Sequence, residues 1–169
     1  MITEKILFKE SLFHMKYKGD TDTINKHIEH VLFFDKGRQK TNQGGFQSHD
    51  ITFGFQELLS FLEINLKQFS KKLKLSNFWL NINKGNNYNL EHIHELDGVS
   101  VVYYHQVCCD KSPIYFKHLC PQLVTDTGKF YPKDQDIIVF PSYLPHGVES
   151  CGHQEHKRIS FAFNYKHYE

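Results

Sequence analysis

Three short segments in the second half of the chain carry residue types that bind metal ions and carboxylates. The first is Glu91-His92-Ile93-His94-Glu95. Alternate side chains of a strand share a face, so His92 and His94 project together with Leu90 and Leu96, and Glu91, Ile93 and Glu95 project the other way. Two imidazoles so placed can chelate one ion. Alone the pair says little, because the chain has 12 histidines. The second segment is Ile137-Ile138-Val139-Phe140-Pro141-Ser142-Tyr143-Leu144-Pro145-His146, a β-branched run that enters a turn stiffened by two prolines and ends on a histidine. Stiffness there serves to position His146; the other reading is a turn histidine in water. The third is Arg158-Ile159-Ser160-Phe161-Ala162-Phe163-Asn164-Tyr165, which alternates throughout. Facing a polar lumen, Arg158 offers a planar fork that pairs bidentately with a carboxylate, and Ser160 adds a hydrogen bond. On an edge strand the same face would meet water.

Taken together, the order is His-x-His, then a Phe-Pro-Ser-x-Leu-x-His turn, then Arg-x-Ser twelve residues after His146. This resembles the iron(II)- and 2-oxoglutarate-dependent oxygenases, and more narrowly their phage and bacterial branch related to prolyl hydroxylases. The likeness rests on Trp79-Leu80-Asn81, residues 85–89, His92-Ile93-His94, and residues 98–104, 140–146 and 158–164. An upstream Asn-x-Gly-Gly-Phe-Gln-Ser stretch, residues 42–48, also resembles that branch. The resemblance implies a double-stranded β-helix. It also implies iron ligation by His92 and His146, and Arg158 and Ser160 on the far carboxylate of 2-oxoglutarate. Tyr104 matches a position that often bonds that carboxylate, and Asn81 would touch the cosubstrate from the lumen side. The wider family has a carboxylate two residues after its first histidine; here that residue is His94. Three arrangements stay open: His94 as third ligand, Asp97 reaching in from the turn, or only two protein ligands with His94 behind them. Residues 46–48 border the substrate mouth or simply pack between helices.

The elements that must hold these residues are legible in outline. Residues 5–17 form an opening strand and connection. Thr21, Asp22 and Thr23 start a helix whose Ile24, Ile28, Val31 and Leu32 share one face. Residues 42–48 form a loop. Phe55, Leu58, Leu59, Leu62, Leu66, Phe69 and Leu73 lie along a second, longer helix, and Lys71-Lys72-Leu73-Lys74 is its solvated end. Strands then follow at 78–83, 90–96, 99–107, 113–119, 136–140, 147–150 and 158–165. Many short strands after two helices indicate a mainly β (α+β) domain, a jelly-roll or cupin-like barrel backed by two N-terminal helices. One domain covers 1–169, with helical support to about 76 and the barrel from 77.

Composition narrows the chemistry. Twenty basic against 19 acidic residues give a net charge of +1, which argues against a nucleic-acid partner. No 18-residue apolar run or charged leader is present, so a cytoplasmic protein without a membrane partner is expected. Cys108, Cys109, Cys120 and Cys151 form no Cys-x-x-Cys pair and read as reduced thiols. His105, His118, His153, His156 and His167 lack matching phase, and Cys151-x-His153-x-x-His156 falls in a polar loop. The expected activity is Fe(II)- and 2-oxoglutarate-dependent hydroxylation of a peptide or small molecule by O2, with release of succinate and CO2. The rival readings are a three-histidine dioxygenase that needs no 2-oxoglutarate, and a β-barrel binding module without catalysis.

Overall fold

A computed structural model describes residues 10–94, 97–107, 111–119 and 127–168. The earlier part of the expected opening strand, Leu96, Cys108, Cys109 and Cys120 lie outside the described residues. The element order is β1 (Phe13–Lys16), α1 (Thr21–Phe34), β2 (Asn42–Gln43), β3 (Phe46–Gln47), α2 (Gln56–Leu66), β4 (Leu73–Lys84), β5 (Tyr88–His92), β6 (Gly98–Val107), β7 (Ile114–Lys117), β8 (Thr127–Phe130), β9 (Asp136–Pro141), β10 (His146–Val148) and β11 (Lys157–His167). The strands form two antiparallel sheets, ordered β1-β9-β6-β11-β4-β3 and β2-β5-β10-β7-β8. The fold is the expected double-stranded β-helix backed by two helices.

Two cores follow from the alternation of the long strands. Phe78, Leu80, Ile82, Phe161, Phe163, Val101 and Tyr103 project from the six-stranded sheet onto Ile24, Ile28 and Val31 of α1 and Leu58, Leu62 and Leu66 of α2. Between the sheets, Tyr104, Ile138 and Phe140 meet Ile114, Phe116 and Leu144. The first core holds the helices; the second lies between the sheets, and its Tyr104, Ile114 and Phe140 also line a cavity there.

Several boundaries differ from expectation for physical reasons. Asp20, not a residue of Thr21–Thr23, caps α1, its carboxylate accepting from Asp22 N at 2.8 Å and Thr23 N at 3.2 Å. Helix α2 ends at Leu66, and Leu73 and Lys74 open β4 instead of closing a helix. A turn at Ser70, whose Oγ accepts from Lys72 N at 3.1 Å, makes that switch. The loop at 42–48 contains β2 and β3, which pair with β5 and β4 and so bridge the two sheets. Gly44 and Gly45 turn between them at φ 71° and 69°. A Cβ on Gly45 would stand 2.5 Å from the Ile82 carbonyl oxygen, so the turn needs glycine there. Strand β8 was not anticipated. No helix among the described residues is long and apolar enough to cross a membrane.

Candidate active site

The two sheets present the histidines to one another. His92 at the end of β5 and His146 at the start of β10 are direct cross-strand partners. Opposite them the register shifts: His146 pairs with His92, but Val148 pairs with Asn89. The extra residue in β5 is a bulge, which re-aims side chains. It puts Asn89 into the cavity beside His92 and leaves Leu90 outside and exposed, so the expected sharing of a face by Leu90 and His92 does not hold. His94 lies just past the strand. Its amide donates to the Ser142 carbonyl at 2.9 Å, which ties it to the proline-bounded turn before His146.

The three rings converge. Centroids are 4.4 Å apart for His92 and His146, 5.0 Å for His92 and His94, and 5.1 Å for His94 and His146. One ring nitrogen from each lies within 4.8 Å of the other two. Nδ1 of His92 donates to the Leu90 carbonyl and Nδ1 of His146 to the Leu144 carbonyl, both at 2.8 Å. Those bonds fix ring orientation and leave Nε2 as the electron-pair donor, the arrangement that metal-binding histidines need. Burial pushes the His146 imidazole down to about 3, with His92 and His94 adding to the effect. Burial also pushes His94 down to about 4, helped by His92 and Lys40, and lowers His92. All three are neutral at physiological pH, the form that ligates. The donor set fits a divalent first-row ion such as iron. Trp79 and Phe140 flank the cluster, 5.8 Å from His94 and 4.8 Å from His146 between centroids.

Asp97 is exposed and borders a polar cleft on the far side of His94. Among the described residues no carboxylate joins the histidine group. His105 belongs to the helix side, its Nε2 2.7 Å from Asn25 Oδ1 and its Nδ1 3.3 Å from the Tyr103 hydroxyl. His156 Nδ1 lies 3.1 Å from Cys151 Sγ, away from the cluster.

The same cavity, about 550 Å³ including its mouth, extends to Arg158. Its floor is the inner face of the six-stranded sheet, where register sets side chains in rows. Asn81, Ser160 and Tyr104 stand side by side on β4, β11 and β6; Asn83 and Arg158 are paired in a further row. Gln47 on β3 is the cross-strand partner of Asn81. Asn81 Oδ1 and Gln47 Oε1 are buried with no hydrogen-bond partner among the described residues. Arg158 is only 5% exposed. Its Nη1 donates to the Ser112 carbonyl at 2.9 Å and to Ser112 Oγ at 2.8 Å. Burial raises the Tyr104 hydroxyl above its usual value, with Arg158 opposing, so it stays a neutral donor. His92, His94, His146, Arg158, Ser160, Tyr104 and Asn81 all line this one cavity, whereas Asp97, the alternative ligand, does not. Ser112, Trp79 and Asn89 were not singled out as site residues. Only Trp79 carried a signal, as a lone tryptophan in phase with Asn81.

Comparison with known proteins bears on this arrangement. No curated protein matches the sequence. Among solved structures, a Pseudomonas putida prolyl-4-hydroxylase matches with a TM-score of 0.69 at 13% identity, covering 95% of this chain and 94% of that one. A prolyl hydroxylase from Trichoplax adhaerens, solved in complex with a hypoxia inducible factor oxygen degradation domain peptide fragment, gives 0.68 at 14% identity, covering 92% and 83%. A viral collagen prolyl hydroxylase from Paramecium Bursaria Chlorella virus-1, solved as a 2-oxoglutarate complex, gives 0.61 at 14% identity, covering 93% and 96%. At such identities these likenesses speak for the fold. The family model described as "Putative 2OG-Fe(II) oxygenase" matches residues 77–164. The chain therefore belongs to the 2-oxoglutarate- and Fe(II)-dependent oxygenases, enzymes that work with Fe(II), 2-oxoglutarate and O2.

Proposed function

We propose that this oxygenase is a hydroxylase of a peptide or small molecule, with His92, His94 and His146 as the iron ligands. Arg158 and Ser160 hold the far carboxylate of 2-oxoglutarate, Tyr104 donates to it, and Asn81 touches the cosubstrate through its amide. The observation that carries this reading is a single cavity with three neutral imidazoles at one end and a buried guanidinium at the other. A dicarboxylate that chelates a metal with one end needs a cation for the other. We take the chain as a single domain, 1–169, because Thr41 from the helical half and the strands line the same cavity.

When bound, Fe(II) couples oxidative decarboxylation of the 2-oxo acid to oxidation of the substrate, giving succinate and CO2. The chain's own residues do the positioning. The Leu90 and Leu144 carbonyls hold two imidazoles in one tautomer. Ser112 holds the guanidinium in place through two bonds. Phe140, Ile114, Val102 and Val148 make apolar walls that exclude water from the reacting atoms. The polar cleft beyond His94, bordered by Ser76, Asn77 and Asn164, is the approach for substrate. A peptide bound to the Trichoplax adhaerens protein supports including peptides in the substrate class.

Anaerobic titration of the protein with Fe(II) and then 2-oxoglutarate tests the reading. The expected result is a visible charge-transfer band that requires both. Its absence, with turnover independent of any 2-oxo acid, would favour a three-histidine dioxygenase of another type.

A further inference from the structure

The Asn-x-Gly-Gly-Phe-Gln-Ser stretch at 42–48 bridges the two sheets, and its details point inward. Phe46 pairs with Ile82 and packs on the helix-side core. Strand alternation therefore turns Gln47 to the opposite face, the one that carries Asn81. The chain is pinned on both sides of that side chain. Arg38 N donates to the Gln47 carbonyl at 2.7 Å, Ser48 N to the Leu80 carbonyl at 2.9 Å, and Leu80 N to Ser48 Oγ at 2.9 Å. Gln47 is 2% exposed and stands behind Asn81, which lines the cavity. The Cβ atoms of directly opposed residues lie about 4.5–5.5 Å apart, so the two amides are within reach of each other. Asn81 Oδ1 and Gln47 Oε1 are nevertheless both buried without a hydrogen-bond partner among the described residues.

2-Oxoglutarate with both carboxylates ionised offers acceptors and no donor. An asparagine that touches it must therefore present Nδ2 and turn Oδ1 away. Once buried, that oxygen needs a donor of its own. Two strands flank Asn81, and each sets one residue beside it: Ser160 on β11 and Gln47 on β3. Ser160 has one hydroxyl proton, and in the function proposed above it goes to the far carboxylate. Gln47 has an amide with two. We propose that Gln47 is a positioning residue for the cosubstrate: its Nε2 donates to Asn81 Oδ1 and so fixes the Asn81 amide with Nδ2 towards 2-oxoglutarate. Gln47 itself touches no cosubstrate atom. This rests on the contact proposed above between Asn81 and the cosubstrate. The 42–48 stretch thereby gains a part in ligand binding, because its glycine turn and the Ser48 bonds set one amide behind another.

A double-mutant cycle tests the assignment. The affinity for 2-oxoglutarate is measured anaerobically by calorimetry on the Co(II)-loaded wild type, Gln47→Met, Asn81→Ala and the double variant. Methionine keeps the length of glutamine and removes the donor. Gln47→Met weakens 2-oxoglutarate binding about tenfold when Asn81 is present and less than about twofold when it is alanine. The affinity for Co(II) alone stays that of the wild type. A residue that only packs would cost the same factor in both backgrounds. That result, a matching loss of Co(II) affinity, or no loss at all in Gln47→Met overturns the inference and leaves the Asn81 contact standing. If Asn81→Ala binds 2-oxoglutarate as the wild type does, the contact assigned to Asn81 fails and the inference fails with it. Circular dichroism establishes that each variant is folded; if Gln47→Met does not fold, Gln47→Leu makes the same comparison.

Discussion

The two faces of the six-stranded sheet are built from the same strands and behave as different materials. On the outer face, Phe78, Leu80, Ile82, Phe161 and Phe163 are buried under the helices. On the inner face the intervening residues are Trp79, Asn81, Asn83, Arg158, Ser160 and Ala162; all but Asn83 line the cavity, and Asn83 lines a smaller pocket that shares Arg158 with it. One face gains stability by removing apolar area from water. The other keeps polar groups buried beside a cavity, and Asn81 Oδ1 and Gln47 Oε1 have no partner there among the described residues. Such orphaned groups cost stability. The contrast teaches that the period of two in a strand separates folding from function one residue at a time.

Substitutions on the two faces should therefore fail in different ways. The largest effect belongs to the outer face. Phe161, fully buried and 4.9 Å from Phe55 between ring centroids, should cost about 3–5 kcal/mol when changed to alanine, read by denaturant unfolding. A loss of cosubstrate affinity in Phe161→Ala without that destabilisation would break the comparison. On the inner face, Arg158→Ala should weaken 2-oxoglutarate binding about 100-fold, with the affinity for metal alone changed far less. Equal loss of both would remove the role assigned to Arg158. At the metal end, His94→Ala should lower metal affinity as deeply as His146→Ala does. If Asp97→Ala does so and His94→Ala does not, the ligand set is wrong.

The pH dependence gives a smaller, sharper test. His146 and His94 titrate in the folded, metal-free chain at about 3 and about 4, against about 6.5 when unfolded. Below pH 6.5 the unfolded chain takes up protons that the folded chain refuses, so stability is lost as pH falls towards 4. The Tm of the metal-free protein should drop between pH 7 and pH 5, and less so in His146→Asn. A flat profile would mean that these imidazoles are not held neutral. The smallest effect is expected for Ser112→Ala, about tenfold or less on 2-oxoglutarate affinity, because the Ser112 carbonyl still holds the guanidinium.

Much of this architecture is written in local pattern. The alternation of residues 158–165 and the proline-bounded turn before His146 locate β11 and His146, because each is a property of neighbours in the chain. What escaped sequence reading depends on distant partners. Leu73 continues the apolar stripe of α2 but pairs with His167 in the sheet, a contact no local period can announce. Ser112 orients Arg158 across 46 residues. Leu90 was placed with His92 because alternation was assumed to run unbroken, and the register shift opposite β10 breaks it. Nor could local pattern announce the backbone bond from His94 to Ser142, which holds that histidine beside His92 and His146.

The bulge in β5 has a consequence for how this site tolerates change. Point substitutions at Leu90 or Glu91, both solvent-facing, alter little of the cavity wall. Removing either residue would bring Asn89 and His92 to the two-residue spacing of a regular strand, which keeps both on the cavity face without the bulge. The segment should therefore accept many spellings, and also the loss of one residue without turning either group out of the cavity. In a library of variants here, substitutions at these two positions and single-codon deletions of either should both survive selection for metal binding.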